Sequence, residues 1–434
     1  MQNARHILFS LLAGLFLLSC ENPVAPPSDV QGEPNHMPKS PKRGICYNSF
    51  SEAEMALVGP AISWAYNWGK TTSNEVATNM AQYSIDYCPM VWSGKPDVWS
   101  GKPDVAAMQA FIAAHPNVKY LLAFNEPTLT DQANMTPVQA AALWQDVVDA
   151  AKVLNLKLVS PAMNYGTLAG YSDPIKWLDE FFAQPTVDIN DIDAISIHCY
   201  MASTSALKSF VERFRKYGKP VWLTEFCAWD PAPSSVEKQM DYMCAALNYL
   251  EQEPLVERYS WFMLKTSNSL TKVPFNQLVT HDLNPQLTPL GEIYTMLSSF
   301  DQTTYLSTCR AIHAGEYAKV EGDIVLRPTT DYEVYGAAGK NGLMITDLRE
   351  GHQLTYCLQV PKTQTITIHH CGYVDCKVAL LVDDKLTIEA DLPRNSSLTE
   401  WATTEIPLTM KAGNHTLTLC LTKGSCMFSG LEIK

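Results

Sequence analysis

Short apolar runs alternate with longer segments of helical spacing between residues 43 and 264. The runs are continuous and not alternating in polarity, as expected for parallel strands buried on both faces. We predict eight such strands: Arg43–Asn48, Ala61–Trp68, Ile85–Trp92, Tyr120–Glu126, Leu156–Asn164, Asp193–Tyr200, Val221–Phe226 and Arg258–Leu264.

Several of the intervening segments predict amphipathic helices. Pro137–Leu154 carries apolar residues at helical intervals, with Thr136 as its N-cap and proline at its first position. Ile175–Phe182 and Ser234–Leu250 have the same character. Eight strands alternating with helices over roughly 260 residues match the size and order of a (β/α)8 barrel, an α/β fold.

The pattern changes after residue 304, where strand-like stretches with turn signals replace the helices. Examples are Gln364–His370, Val378–Val382 and His415–Leu421. We therefore predict a TIM barrel over residues 42–304 and a smaller all-β sandwich over residues 305–434.

The N-terminus predicts export and lipidation. Arg5 and His6 precede the apolar stretch Ile7–Leu18, which is too short to span a bilayer and is followed by Ser19-Cys20. This is typical of a bacterial lipoprotein signal over residues 1–20 with a lipid on Cys20; an ordinary cleaved secretory signal is the alternative. Residues 21–41 predict a Pro-rich tether, so we expect a protein anchored to the outer membrane.

Composition excludes some classes of function. The chain has 434 residues, 46% hydrophobic and 18% charged, with a net charge of −13. This charge argues against nucleic acid as a partner and suits a neutral ligand. We expect a monomer. Apart from Cys20 there are eleven cysteines, and those within apolar runs (Cys46, Cys88, Cys199, Cys227) are predicted to be small buried hydrophobes.

Two carboxylates are the strongest chemical signal. Glu126 ends the fourth predicted strand and Glu225 lies at the end of the seventh. Strand ends meet at the C-terminal face of such a barrel, where active sites lie. Strands four and seven are on opposite sides, so the two carboxylates can face each other across one cleft. Paired carboxylates predict glycoside hydrolysis.

Polar and aromatic residues cluster at the same strand ends. Asn125 can bind a sugar hydroxyl, and His198 is predicted to position groups by hydrogen bonding. Aromatic rings stack on sugar faces, although some of these rings could instead belong to the barrel core. No His, Asp or Glu set has metal spacing, so we expect neither metal nor cofactor. The aromatic candidates are Tyr66, Trp68, Trp92, Tyr165, Tyr200, Trp229 and Trp261.

A tandem repeat follows the third predicted strand. Val91–Asp97 recurs unchanged as Val98–Asp104. Two copies are too few for a solenoid, so we interpret the repeat as a local duplication that lengthens a loop on the active-site face. Trp99 could add a second sugar-stacking surface.

Residues 43–300 resemble glycoside hydrolase family 128, a family of clan A barrels. The resemblance implies endo-acting cleavage of β-1,3-glucan with retention, Glu126 as acid/base and Glu225 as nucleophile. Another β-linked glycan, such as mixed-linkage glucan or mannan, and a non-catalytic glycan-binding lipoprotein are the alternatives. The matching segments are Lys42–Gly44, Tyr66–Gly69, Pro89–Trp92, Phe124–Pro127, Gln132–Pro137, Ser160–Ala162, Trp177–Leu178, His198–Tyr200, Tyr217–Phe226, Arg258–Phe262 and Leu287–Gly291.

The C-terminal region resembles a family 6 carbohydrate-binding module. Ala311–Val320 is similar to its opening strand, and Ala412–Thr418 to a later one. The resemblance implies that Trp401 stacks on a sugar. Ser429 stands where such modules often have a calcium-binding Asp. A sandwich that only supports the barrel is the alternative.

Overall fold

The structure, a computed structural model, describes residues 39–96, 100–266, 274–329, 342–397 and 400–434. The predicted signal segment with Cys20, most of the tether, and Trp99 lie outside these residues. The last residues of the predicted tether are packed onto the barrel: Ser40 is buried, and its hydroxyl donates to Glu251 Oε2 at 2.8 Å.

The N-terminal part is a (β/α)8 barrel, which confirms the predicted fold class. Every strand pairing in it is parallel. The strands are β1 Arg43–Cys46, β2 Trp64–Tyr66, β3 Asp86–Tyr87, β4 Tyr120–Leu122, β5 Lys157–Val159, β6 Ile195–Met201, β7 Val221–Asp230 and β8 Val256–Trp261; the helices are α1 Glu52–Val58, α2 Asn74–Gln82, α3 Val105–Ala114, α4 Pro137–Leu154, α5 Pro174–Phe182, α6 Thr204–Glu212, α7 Val236–Gln252 and α8 Pro289–Met296.

The strands close into a ring. Six of them pair in the order β3-β2-β1-β8-β7-β6, and β4 pairs with β5. Single parallel bridges join the two groups, Met90 with Leu122 on one side and Val159 with Ala194 on the other. β4 and β7 therefore face each other across the barrel, as the strand count predicts.

Each of the eight helices begins at a residue whose side chain accepts a backbone N–H of the first turn. Such N-caps satisfy donors that the helix itself leaves unpaired. Thr136 and Gln139 form a capping box at the start of α4, so the predicted cap and bounds of this helix are confirmed. The N-caps are Ser51, Ser73, Asp104, Thr136, Asp173, Ser203, Ser235 and Thr288.

Several strand ends differ from prediction, and those next to the two glutamates matter most for the site. β4 ends at Leu122, four residues before Glu126, and β5 ends at Val159, five residues before Asn164. Glu126 has a left-handed backbone with φ +45°, which regular strand geometry does not allow. β7, in contrast, continues past Glu225 to Asp230. The first carboxylate thus lies in a loop and the second within a strand.

A cationic plug fills the N-terminal end of the barrel interior. The guanidinium of Arg258 lies 4.7 Å from the ring centroids of both Tyr120 and Trp222, and it pairs with Asp86 at 2.9 Å. Trp64 packs on the same cation at 5.8 Å. These contacts close the barrel below the strand ends that carry the polar residues.

The C-terminal part consists of two sheets whose strands pair antiparallel, except that β9 and β14 are parallel. One has the order β12-β13-β20-β15-β18 with β10 beside β20, and the other β11-β14-β19-β16-β17 with β9 beside β14. The strands are β9 Leu306–Ser307, β10 Ile312–His313, β11 Lys319–Glu321, β12 Leu326–Pro328, β13 Leu343–Arg349, β14 Gln353–Val360, β15 Thr363–Cys371, β16 Cys376–Val382, β17 Lys385–Leu392, β18 Ala402–Met410, β19 Gly413–Lys423 and β20 Ser425–Ile433.

The sandwich packs against α7 of the barrel, and both parts belong to one compact unit. Buried Tyr317 donates its hydroxyl to Asn248 Oδ1 at 2.8 Å, and Arg327 forms a close ion pair with Asp241. The contact between barrel and sandwich is therefore partly polar, and these polar side chains are paired across it.

The cysteines that lie within the apolar runs of the barrel are free thiols. Cys46, Cys88, Cys199 and Cys227 are buried, as predicted. Among the described helices, none combines the length and apolar character needed to cross a bilayer.

Candidate active site

Glu225 is held by donors from β2, from the turn after β2 and from β6. Its Oε1 accepts the Tyr66 hydroxyl and the Trp68 indole N–H, each at 2.8 Å. Its Oε2 accepts a short hydrogen bond from the Tyr200 hydroxyl and lies 3.4 Å from His198 Nδ1. Glu225 is 3% exposed, so the three hydrogen-bond donors Tyr66, Trp68 and Tyr200 replace most of the water that a carboxylate normally binds.

Glu126 has fewer partners. Its Oε1 accepts the Asn164 amide at 3.0 Å and lies 2.9 Å from His198 Nδ1. Within the part of the chain that the structure describes, no donor meets Oε2. Glu126 lines the open cleft, so this oxygen is left for a ligand.

His198 links the two carboxylates. The ring is fully buried, and its Nδ1 is within hydrogen-bonding reach of both glutamates, so one N–H can serve either of them. One carboxylate oxygen of Glu126, one of Glu225 and one ring nitrogen of His198 all lie within 4.8 Å of one another. The two carboxylates are therefore close enough to influence each other's charge.

The charges of these three groups set their pKa values. Burial raises the pKa of Glu225, and the negative charge of Glu126 raises it further against the opposing donors. Burial also acts to raise the pKa of Glu126, but His198 and Asn164 outweigh it and leave the value lowered. For His198, burial lowers the pKa and the two carboxylates raise it more. Between Glu126 and His198, these pKa shifts favour the proton on the histidine.

The same three residues have the donor types of a metal site. His198 Nδ1, however, is the atom that donates to Glu126, so a metal ion would have to displace that proton. The geometry is satisfied as a hydrogen-bonded cluster, and our expectation of no metal stays a prediction.

A cleft of about 770 Å³ opens above the two glutamates. Its aromatic wall is a set of rings in edge contact: Tyr200 lies 5.8 Å from Trp229 and 5.5 Å from Phe262, and Trp68 lies 6.2 Å from Phe262. Trp229 is 43% exposed. Trp92 and Asn125 line the opposite side, near Glu126. Apolar faces beside polar groups suit a sugar chain.

Most of the predicted site residues surround this cleft. Glu126, Glu225, Asn125, Trp68, Trp92, Tyr200 and Trp229 line it, and His198 lies directly beneath it. Tyr66 is fully buried and reaches Glu225 only through its hydroxyl, so its ring offers no stacking face. The half-buried Trp401 lies in the sandwich, beside β18.

The prediction that Trp261 binds substrate is wrong. Its side chain is fully buried, and its indole N–H donates to the backbone oxygen of Asn276 at 2.7 Å. The ring contacts Phe226 and Tyr294, between the strands and the surrounding helices. Trp261 is in register with Phe226, the neighbour of Glu225 that points away from the cleft.

Other cleft residues were not predicted. Asn164 holds Glu126, and its position at the end of a predicted strand could have indicated this role. Gln132 accepts the Asn125 amide at 3.2 Å, while Asp131 and Asp230 line the rim. Phe262 follows β8 directly, next to the Trp261 that we chose instead.

Comparison with known proteins is consistent with this geometry. Residues 44–294 match the family model described as glycosyl hydrolase catalytic core. Alkali-sensitive linkage protein 1 of Schizosaccharomyces pombe is 26% identical over 266 residues, which are 59% of this chain. The matched region spans only 44% of that relative's length.

Two solved structures cover the same region. The GH128 (subgroup II) endo-β-1,3-glucanase of Pseudomonas viridiflava is 37% identical, with a TM-score of 0.52, and the match covers 59% of this chain and 98% of that one. The corresponding enzyme of Sorangium cellulosum is 35% identical, with a TM-score of 0.51 and coverages of 58% and 97%. The chain is thus a glycoside hydrolase with a glycosyl hydrolase catalytic core, and it belongs to family 128.

Proposed function

We propose that this protein is a retaining endo-β-1,3-glucanase. The observation that carries the proposal is the pair of buried carboxylates, joined through His198, at the floor of an aromatic-lined cleft. The similar structures from Pseudomonas viridiflava and Sorangium cellulosum are both described as endo-β-1,3-glucanases, which supports β-1,3-glucan as the substrate.

The hydrogen bonds support Glu225 as the nucleophile. The Trp68 indole can only donate, so a proton on Glu225 Oε1 would meet another N–H. The other donors also stabilise the ionised form. Burial works in the opposite direction and raises the pKa of Glu225. Three neutral donors, from Tyr66, Trp68 and Tyr200, direct their protons at this carboxylate and favour its ionised form.

Glu126 is the better proton donor because its Oε2 has no described partner and faces the cleft. In the resting site its pKa is lowered, mainly through His198 acting against burial. A bound sugar removes water from Oε2 without adding a charged donor, which raises the pKa again. Glu126 is then protonated beside the leaving oxygen.

The reaction proceeds in two displacements. Glu225 attacks the anomeric carbon while Glu126 gives its proton to the departing oxygen, so that a glycosyl ester forms and the glycosidic bond breaks. Glu126 then takes a proton from water, whose oxygen attacks the same carbon and releases Glu225. Retaining enzymes place their carboxylates about 5–5.5 Å apart, whereas inverting ones need about 6.5–9.5 Å. One oxygen of each carboxylate lies within 4.8 Å of an oxygen of the other, which leaves little room for the water that an inverting pair holds and so favours retention.

The test uses laminarin with product sizing and anomer detection. We expect products of intermediate length, with the β anomer appearing first in the NMR spectrum. E225Q should lower the rate by at least about a thousandfold. E126A should regain turnover of an aryl glycoside when azide is added, because the aryl group leaves without a proton and azide attacks the glycosyl ester without a base. Near-normal activity of E225Q, or a first product with the α anomer, would refute the proposal.

A polysaccharide panel tests the linkage. Mixed-linkage glucan and β-1,4-mannan should be cleaved more slowly than laminarin. Faster cleavage of either glycan would leave the proposed two-carboxylate mechanism intact but would show that β-1,3-glucan is not the preferred substrate.

We also propose that the mature protein is a monomeric lipoprotein of the outer membrane and that the sandwich binds glycan through Trp401. The motif ending at Cys20 and the resemblance of the sandwich to a binding module support this. C20S should abolish labelling by a palmitate analogue and release the protein from membranes. W401A should weaken retention on insoluble β-1,3-glucan while leaving turnover of short oligosaccharides intact.

A further inference from the structure

The two copies of the tandem repeat have identical sequences but different surroundings. The first copy is Val91–Asp97 and the second is Val98–Asp104, and residues 97–99 lie outside the described residues. Each described position can be compared with its twin in the other copy. Any difference between twins reflects their place in the fold, since the side chains are the same.

The first copy is tied to the loop that carries Glu126. The backbone oxygen of Trp92 accepts the Asn125 N–H at 2.7 Å. The Lys95 ammonium donates to the backbone oxygens of Ala133 at 2.6 Å and Asn134 at 3.1 Å. These contacts hold both ends of the segment that presents Asn125, Glu126, Leu129, Asp131 and Gln132 to the cleft.

The described part of the second copy, residues 100–104, contacts the backbone of the first copy at Trp92. The backbone oxygen of Ser100 accepts the Trp92 N–H at 2.8 Å, and the Ser100 hydroxyl donates to the backbone oxygen of Met90 at 2.9 Å. Lys102, the twin of Lys95, has an exposed ammonium 3.4 Å from Asp146 on the outer surface. Ser100 thus supports Trp92, whereas the Lys102 side chain has no tie to the cleft loop.

We propose that the duplication is a specificity element for long glucan chains, in which the first copy forms the cleft wall and the second copy braces it. Trp92 is the residue that meets the sugar, and Lys95 and Ser100 are positioning residues. Trp92 lines the cleft, while the donors to the two catalytic carboxylates come from other residues. The element therefore contacts the glucan without holding either carboxylate, since Asn164 and His198, outside the repeat, hold Glu126. This inference rests on the proposed function.

The twin lysines provide the test. K95A should raise the KM for laminarihexaose about five- to tenfold, the loss expected for a charge-assisted hydrogen-bonded tie, with kcat changed less than about twofold. K102A is the matched control and should behave as wild type. K95R should retain most of the binding. Equal effects of K95A and K102A, or a fall in kcat at constant KM, would overturn the inference.

Removal of one whole copy gives a second test. In a variant lacking residues 98–104, Asp97 precedes Val105 as Asp104 does now, so the N-cap residue of α3 is kept. We expect a folded protein with a raised KM for laminarihexaose and an unchanged KM for an aryl laminaribioside. An unchanged KM for the hexaose in the folded variant would contradict the brace.

Binding measurements separate this inference from the proposed function. Calorimetry with laminarihexaose in an E225Q background needs no turnover. If wild type failed to hydrolyse laminarin, the proposed function would fall. Weaker hexaose binding by K95A than by K102A in the E225Q background would still support the specificity element, and equal binding would refute it.

Discussion

One indole N–H illustrates how a single residue sets the chemistry of this site. Trp68 donates to Glu225 Oε1 at 2.8 Å, and this bond acts to lower the pKa of Glu225 against burial. Its backbone has φ +62°, a left-handed conformation that turns the chain directly after β2. The side chain therefore reaches the carboxylate from the mouth of the barrel.

We expect W68F to raise the pKa of Glu225, because the anion loses a donor while burial remains. The nucleophile would then be protonated at higher pH, so the acidic limb of the kcat/KM profile should shift toward neutral pH. The rate at the optimum should fall by about tenfold. The pH profile on a laminari-oligosaccharide measures both effects.

W92F is the control for this change, since Trp92 lines the cleft without donating to Glu225. It should alter KM and leave the acidic limb in place. If the acidic limb of the kcat/KM profile did not shift in W68F, the Trp68 indole would not be stabilising the Glu225 carboxylate.

Residue types at the strand ends could be predicted, but the direction of each side chain could not. Trp68 ends one predicted strand and Trp261 lies within another, yet Trp68 faces the cleft and Trp261 faces the helices. Strands buried on both faces have no polar alternation that marks the inner side. The register shift between Leu223 and Phe226 of β7 further hides which residues of β8 point inward.

At the scale of elements, apolar runs identified all eight barrel strands, but the left-handed turn at Glu126 was not visible. A glutamate there has no local signal of positive φ, unlike the Asn155 that ends α4. The donors to Glu126 come from β6 and from the loop after β5, contacts that depend on barrel closure.

Strand β15 contains a buried histidine that predicts acid sensitivity. Burial, aided by His369, lowers the pKa of His370 to about 4. Between pH 6.5 and 4 the unfolded chain binds a proton at this residue and the folded chain does not. Stability should therefore fall as the pH falls through this window.

H370Q should reduce the slope of melting temperature against pH between 6.5 and 4, measured by thermal denaturation. H281N, at an exposed position, is the control and should keep the wild-type slope. A wild-type slope in H370Q would assign the acid sensitivity to other groups.

At the scale of the whole molecule, the join between barrel and sandwich predicts cooperative unfolding. Tyr317 is fully buried, and its hydroxyl bonds to Asn248 on α7. Y317F should lower stability by about 1 kcal/mol because it leaves the Asn248 oxygen without this donor. Calorimetry should show one transition at a lower temperature; two separate transitions would show that the parts unfold independently.

The cationic plug around Arg258 has a consequence for the order of events during turnover. Because the barrel is closed below the carboxylates, water must enter through the same mouth as the glucan. Hydrolysis of the proposed ester can begin only after the leaving fragment has vacated its place. If a second oligosaccharide enters the site before water does, its hydroxyl accepts the glycosyl group from Glu225. A high substrate concentration should therefore favour chain lengthening over hydrolysis.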